Sequence, residues 1–128
     1  MNNYTIVRPE HLNHHGNLFG GIMLKWVDEF AWITASLDFP GYKLVTRSMQ
    51  NIDFTTGVAN GSILRFEVLP KHQGSTSILY QVTVYADPEG AATEDKVFST
   101  EITFVSVDSQ GNKTPLPHLR PLRSEQNP

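Results

Sequence analysis

The alternation of apolar and polar positions changes character once along this chain. Tyr4–Val7 reads as a short strand, which Arg8-Pro9 ends because proline cannot donate to a ladder. Glu10–Leu18 reads as a loop rich in Asn, His and Gly. A helix is predicted from about Gly20 to Leu37. Its run from Ile22 to Ile33 is apolar around most of the circumference, the mark of a buried helix. Asp38-Phe39-Pro40-Gly41 stops it. Everything afterwards has strand character. Lys43–Phe54 is long and mixed. Ser62–Leu69 places Leu64, Phe66 and Val68 on one face and Arg65 and Glu67 on the other. Thr76–Tyr85 does the same with Ile78, Tyr80, Val82 and Val84, and Val97–Val107 completes the set. The links between these strands are turn-rich and hairpin-sized, so the sheet is expected to be antiparallel. One helix too apolar for a single sheet face predicts an α+β fold, with a sheet wrapped around the helix or a partner chain covering it.

Composition narrows the function. At 128 residues the chain has room for one domain, on the usual scale of roughly 100–200 residues each. With 39% hydrophobic and 18% charged residues it can build a core and is not a disordered chain. A net charge of −3 argues against a nucleic-acid binder held by phosphate contacts. The absence of cysteine excludes a disulfide scaffold, a thiolate metal site and a cysteine nucleophile. Met1-Asn2-Asn3-Tyr4 lacks the look of a signal peptide, and Phe19–Leu37 carries Lys25, Asp28 and Glu29 and is no membrane span. A soluble, cytoplasmic protein is expected. A chain this small buries only about two-thirds of its unfolded surface, so a long apolar substrate would need a cleft shared with another copy.

The chemistry concentrates between Asn13 and Glu29. Asp28 lies in mid-helix between Trp26 and Phe30, where a carboxylate is costly unless it is paired or used. The plainer alternative puts it on a polar stripe with Lys25, although Glu29, four residues after Lys25, suits that stripe better. Gly20 and Gly21 open the helix, where free amides favour negative charge and suit the oxyanion of a thioester or ester. Close packing alone would also explain two glycines. His11, His14 and His15 crowd the loop but match no zinc spacing, and adjacent His14 and His15 on extended backbone would point apart. No metal is expected. There is no Gly-x-Ser-x-Gly elbow, no His–Asp set near Thr76 or Ser77, no phosphate loop and no dinucleotide fingerprint.

The run Asn13-x-x-Gly16-Asn17-x-Phe19-Gly20-Gly21 followed by Trp26-Val27-Asp28-Glu29 resembles the hotdog-fold acyl-CoA thioesterases of the YciA and cytosolic acyl-CoA hydrolase type. Val45-Thr46, Ile52-Asp53-Phe54, Gly61, Gly74-Ser75-Thr76-Ser77 and Val105-Ser106-Val107-Asp108 with Gly111 and Pro117 follow in the family's order. The resemblance covers about Tyr4 to Pro117. It implies one hotdog domain over residues 1–117, with 118–128 an irregular tail. It also implies a homodimer with a continuous two-chain sheet, commonly assembled to a hexamer as a trimer of dimers.

The activity implied is hydrolysis of acyl-CoA, with coenzyme A as part of the substrate and no separate cofactor. Asn13 and Asp28 carry over as the catalytic pair, meeting across the dimer interface. Gly20 or Gly21 would supply the backbone amide that polarises the carbonyl. Gly74, Thr76 and Ser77 would border the substrate. Lys71, His72, Arg47 and Arg120 are unranked candidates for the CoA phosphates. Gly57 and Ser62 depart from the family, which commonly has proline and aspartate there, and they bear on pocket shape. Acyl-chain length, set by the packing of Phe30, Trp32 and Met49, stays open. Two rivals remain. One is a hotdog hydroxyacyl-thioester dehydratase using a histidine such as His14 with Asp28. The other is a non-catalytic acyl-CoA-binding module, although no helix-turn-helix precedes Tyr4.

Overall fold

The computed structural model describes residues 1–119. Strand β1 (Asn2–Ile6) leads through a 3-10 turn at Pro9–His11 to helix α1 (Gly20–Asp38). Strands β2 (Lys43–Phe54), β3 (Ile63–Gln73), β4 (Ser77–Asp87) and β5 (Asp95–Val107) follow. They form one sheet in the order β1-β3-β4-β5-β2, with every pairing antiparallel. The α+β expectation is met.

The alternation read from the sequence decides which face meets the helix. Leu64, Phe66 and Val68 of β3, Ile78, Tyr80, Val82 and Val84 of β4, and Phe98, Ile102 and Phe104 of β5 are buried. Against them α1 turns Met23, Trp26, Val27, Ala31 and Ala35. The helix is not covered all round. Trp32 is 47% exposed, on the helix side turned away from the sheet core. Phe39 caps the helix end and Gly41 turns the chain with φ +87. The Tyr80 hydroxyl donates to Asp38 at 2.7 Å, tying that end to the sheet. Burial first, and then Asp38, hold this phenol protonated far above its ordinary range.

Strand bounds differ from the pattern at both hairpins. β3 runs on through Pro70 to Gln73 because Pro70 still sits opposite Tyr80, and the register slips only beyond it. β4 reaches Asp87 and β5 begins at Asp95, since ladder bonds extend past the last alternating apolar residue.

β2 is an edge strand with Leu44 its only fully buried residue. Its pairing to β5 breaks twice, between Thr46 and Ser48 and between Gln50 and Asp53. At the second break Asn51 has φ +54, and its amide donates to Glu101, which also binds Lys71. These two donors hold the Glu101 carboxyl below its usual range, Lys71 first.

Candidate active site

The loop before α1 is a closed turn. Asn13 N–H donates to the Asn17 carbonyl at 2.7 Å, and Gly16 N–H donates back to the Asn13 carbonyl at 3.0 Å. Gly16 makes this possible at φ +84, a conformation disfavoured for side-chain-bearing residues. The Asn13 side chain locks the turn from inside. Its Oδ1 accepts the N–H groups of His15 and Asn17 at 2.9 and 3.2 Å. Its acceptor end is therefore engaged, and the Nδ2 amine is the end left to meet a ligand.

The helix start adds two further donors. Ile22 and Met23 both send their N–H to the Phe19 carbonyl, and the amides of Gly20 and Gly21 have no partner among the described residues. A Cβ at Gly21 would fall 2.7 Å from the Phe19 ring, so a larger residue there makes that exposed ring move. Asn13 and Gly20 line a cleft of about 400 Å³ together with Asn17, Met23, Phe54 and Thr55.

Asp28 lies elsewhere. It follows Gly20 by eight residues, about 12 Å along the helix, and does not line the cleft. Its Oδ1 accepts the Thr46 hydroxyl at 2.6 Å. One helical turn on, Trp32 Nε1 donates to the Leu44 carbonyl at 3.2 Å, so this face of α1 is tied to the β2 edge. The polar stripe with Lys25 does not form an ion pair. Among the described residues the ion pairs are Arg65–Glu67, Arg65–Glu94 and Lys71–Glu101. Thr46 is the site residue whose role the sequence did not disclose. The contact spans eighteen positions and exists only because β2 runs back along the helix.

The turn of Gly74, Thr76 and Ser77 is at the far end of the sheet. Ser77 faces Val105 and Val84 faces Phe98, so the turn stands about 23 Å along β4 from the cleft strands. One chain does not bring it to Asn13. Ser77 Oγ packs where a Gly74 Cβ would sit.

The histidines part company. His11 Nδ1 accepts the Arg8 N–H, and its ring stands edge-on to Trp26 at 4.8 Å, a packing role. His14 and His15 do not point apart. The backbone there is a turn rather than extended, and it lays the rings 3.9 Å from each other on the surface, outside the cleft. Among the described residues no cluster of three His, Asp or Glu side chains is placed to hold a metal. No helix among them is long and apolar enough to cross a membrane. Of the candidate cations, Lys71 is spent on Glu101, Arg47 and His72 are exposed, and Arg120 lies outside the described residues.

The chain is similar to known proteins over nearly its full length. It is 28% identical over 120 residues to a Bacillus subtilis protein named as an uncharacterized acyl-CoA thioester hydrolase, covering 94% of this chain and 69% of that protein. It is also 28% identical to the human cytosolic acyl coenzyme A thioester hydrolase, covering 91% of this chain but only 31% of the human protein. It thus spans about a third of that longer relative. Among solved structures, a hexameric hotdog-fold thioesterase of Campylobacter jejuni superposes with a TM-score of 0.80 at 32% identity, covering 90% of this chain and 88% of that one. An acyl-CoA hydrolase of Staphylococcus aureus, solved with butyryl coenzyme A and coenzyme A, gives 0.85 at 28%, covering 94% and 73%. Variants of that enzyme replace an asparagine and an aspartate fifteen positions apart, the spacing of Asn13 and Asp28. A third variant replaces a threonine beyond that aspartate. A family model described as the thioesterase superfamily matches residues 15–93. With its helix laid in a five-stranded antiparallel sheet of hotdog form, the chain belongs to the thioesterase superfamily.

Proposed function

We propose that this chain hydrolyses the thioester of acyl-CoA to a carboxylic acid and coenzyme A, at a site completed by two copies of itself. The observation that carries this reading is the division of chemistry within one chain. Unspent donors gather at the cleft, and the acid stands about 12 Å away on an open edge. A twofold that sets β2 beside β2 of a second copy would bring Asp28 of one chain toward Asn13 of the other. The exposed Trp32 on α1, Tyr42 just before β2, and Val45, Ile52 and Phe54 on β2 support such an interface. The hexameric relative supports further assembly of dimers.

The thioester oxygen would accept from Asn13 Nδ2 and from the amide of Gly20 or Gly21, donors aimed where charge develops. Because Asn13 Oδ1 is engaged within its own turn, Asn13 acts by donating. Thr46 holds one oxygen of Asp28, leaving the other for chemistry. As a base, Asp28 takes a proton from water. The hydroxyl adds to the carbonyl carbon, the C–S bond breaks, and the sulfur takes that proton. As a nucleophile, Asp28 would add to the carbonyl carbon and form a mixed anhydride as the C–S bond breaks and coenzyme A leaves as a thiolate. Water then opens the anhydride, its proton going to the thiolate and its hydroxyl to the acyl group. The turn of Gly74, Thr76 and Ser77 would border the site only through a neighbouring protomer. A cytoplasmic setting and a part in lipid metabolism go with this activity, by similarity to the human cytosolic relative. The dehydratase alternative loses ground because exposed His14 lies outside the cleft.

The test is to mix Asn13→Ala and Asp28→Ala proteins, each inactive alone, and let subunits exchange while following thiol release from acyl-CoA. Recovery of activity is expected, since some mixed dimers keep one intact site. Mixtures that exchange subunits yet stay inactive sink the shared site.

A further inference from the structure

The described cleft holds a second side-chain amide that the reaction above does not use. Asn17 is pinned through its backbone, its N–H to Asn13 Oδ1 and its carbonyl to the Asn13 N–H. Its side chain lines the cleft beside Thr55 and Thr56 and makes no hydrogen bond to another of the described residues. What admits it is Gly57. A Cβ built at position 57 would lie 3.2 Å from Asn17 Nδ2 and 3.3 Å from its Cγ, so a side chain there makes the amide give by a few tenths of an ångström. Gly57 has no positive φ, so its backbone does not demand glycine, and the neighbouring amide is what a side chain there would meet.

We infer that Asn17, seated on Gly57, selects the acyl group, favouring a short one that carries a hydroxyl or carbonyl near the thioester over a plain alkyl chain. The inference rests on the thioesterase reading above and extends it to the substrate class. The charged end of the substrate must stay in water, and the thioester oxygen is held at the mouth by Asn13 and Gly20. The acyl group is then the part that reaches inward to Met23, Val58 and Val97. An alkyl chain laid over Asn17, Thr55 and Thr56 would strip water from groups it cannot satisfy. A polar substituent replaces that water with a hydrogen bond, and sites built this way discriminate against analogues lacking the group. The amide both donates and accepts, so it serves a hydroxyl or a carbonyl.

The experiment compares kcat/KM for 3-hydroxybutyryl-CoA, butyryl-CoA and octanoyl-CoA in the wild-type chain and in Asn17→Ala, Gly57→Ala and the double variant. The wild type is expected to prefer the hydroxylated substrate over octanoyl-CoA. Asn17→Ala should lower the hydroxybutyryl-to-butyryl ratio by about tenfold. Gly57→Ala should lower it by less, and should change nothing further once Asn17 is alanine, because it acts through that side chain. A merely structural role would slow all three substrates alike and leave the ratio unmoved, which overturns the inference while thiol release upholds the enzyme reading. A wild-type chain that releases thiol from none of the three takes down both.

Discussion

The two ends of the sheet treat their polar groups in opposite ways. At the β3–β4 turn they are closed off. Gln73 donates its amide to the Pro117 carbonyl at 2.7 Å and accepts the Leu119 N–H at 3.0 Å. Leu116 N–H donates to Ser75, Ser106 N–H donates to Thr76, and the hydroxyls of Ser106 and Thr114 pair at 2.8 Å. Tyr80 closes onto Asp38 nearby. At the helix entrance, the Asn13 amine, the Asn17 amide and the amides of Gly20 and Gly21 are unspent among the described residues. Bonded groups hold the fold, and groups held in place but left unbonded are available to a substrate. Gly74, Thr76 and Ser77 fall at the closed end, so any part they play in binding needs a neighbouring chain.

This contrast can be broken by substitution. The largest effect belongs to Asp28→Ala. Thiol release should fall by about 10³-fold while size-exclusion chromatography shows the oligomer unchanged. Turnover near that of the wild type removes Asp28 from the chemistry. Asn13→Ala should lower kcat by about 10²-fold, the scale of one lost oxyanion donor. Because the same residue locks its loop, Asn13→Asp is the sharper control: it keeps the acceptor that closes the turn and removes the free amine, and its kcat should fall as far. Thr46→Ala should lower kcat about tenfold by releasing one Asp28 oxygen, and Thr46→Ser should restore it.

At the closed end the expected changes are in stability, not rate. Tyr80→Phe should lower stability by about 1 kcal/mol at neutral pH with kcat unchanged, measured by denaturant unfolding. The sign of its pH dependence follows from the raised phenol. The contribution is full below the unfolded value of about 10 and is lost as pH climbs beyond it, so the two proteins should converge in alkali. Gln73→Ala should loosen the segment through Leu119 and leave kcat/KM unchanged. A fall in kcat/KM instead would place the turn in a working site.

Much of this frame was legible in the residues. The helix start at Gly20 and the inward faces of β3 and β4 follow from periodicity, because side-chain direction there is set by local geometry. The short turn at Pro9–His11 was not, since three residues leave no period to read. Asp28 stood out as a carboxylate in an apolar helix, and Asn13 through the motif that carries the family resemblance. What they touch did not. The Asn13 side-chain Oδ1 is consumed by N–H groups two and four positions on, a matter of loop conformation. Thr46 meets Asp28 only after the chain has reversed at Gly41. The seat that Gly57 makes for Asn17 is likewise a tertiary contact between two loops.

Strand β2 leaves twelve residues of backbone along an uncovered margin of the sheet. A straight margin of that length would template any extended peptide and seed fibres. The dislocations at Arg47 and at Asn51 cut it into short runs, so an arriving strand must be kinked to match. Another copy of this chain has those kinks by inheritance, whereas a stray unfolded segment does not. The flaws in the ladder therefore act as a guard against promiscuous sheet growth along this margin.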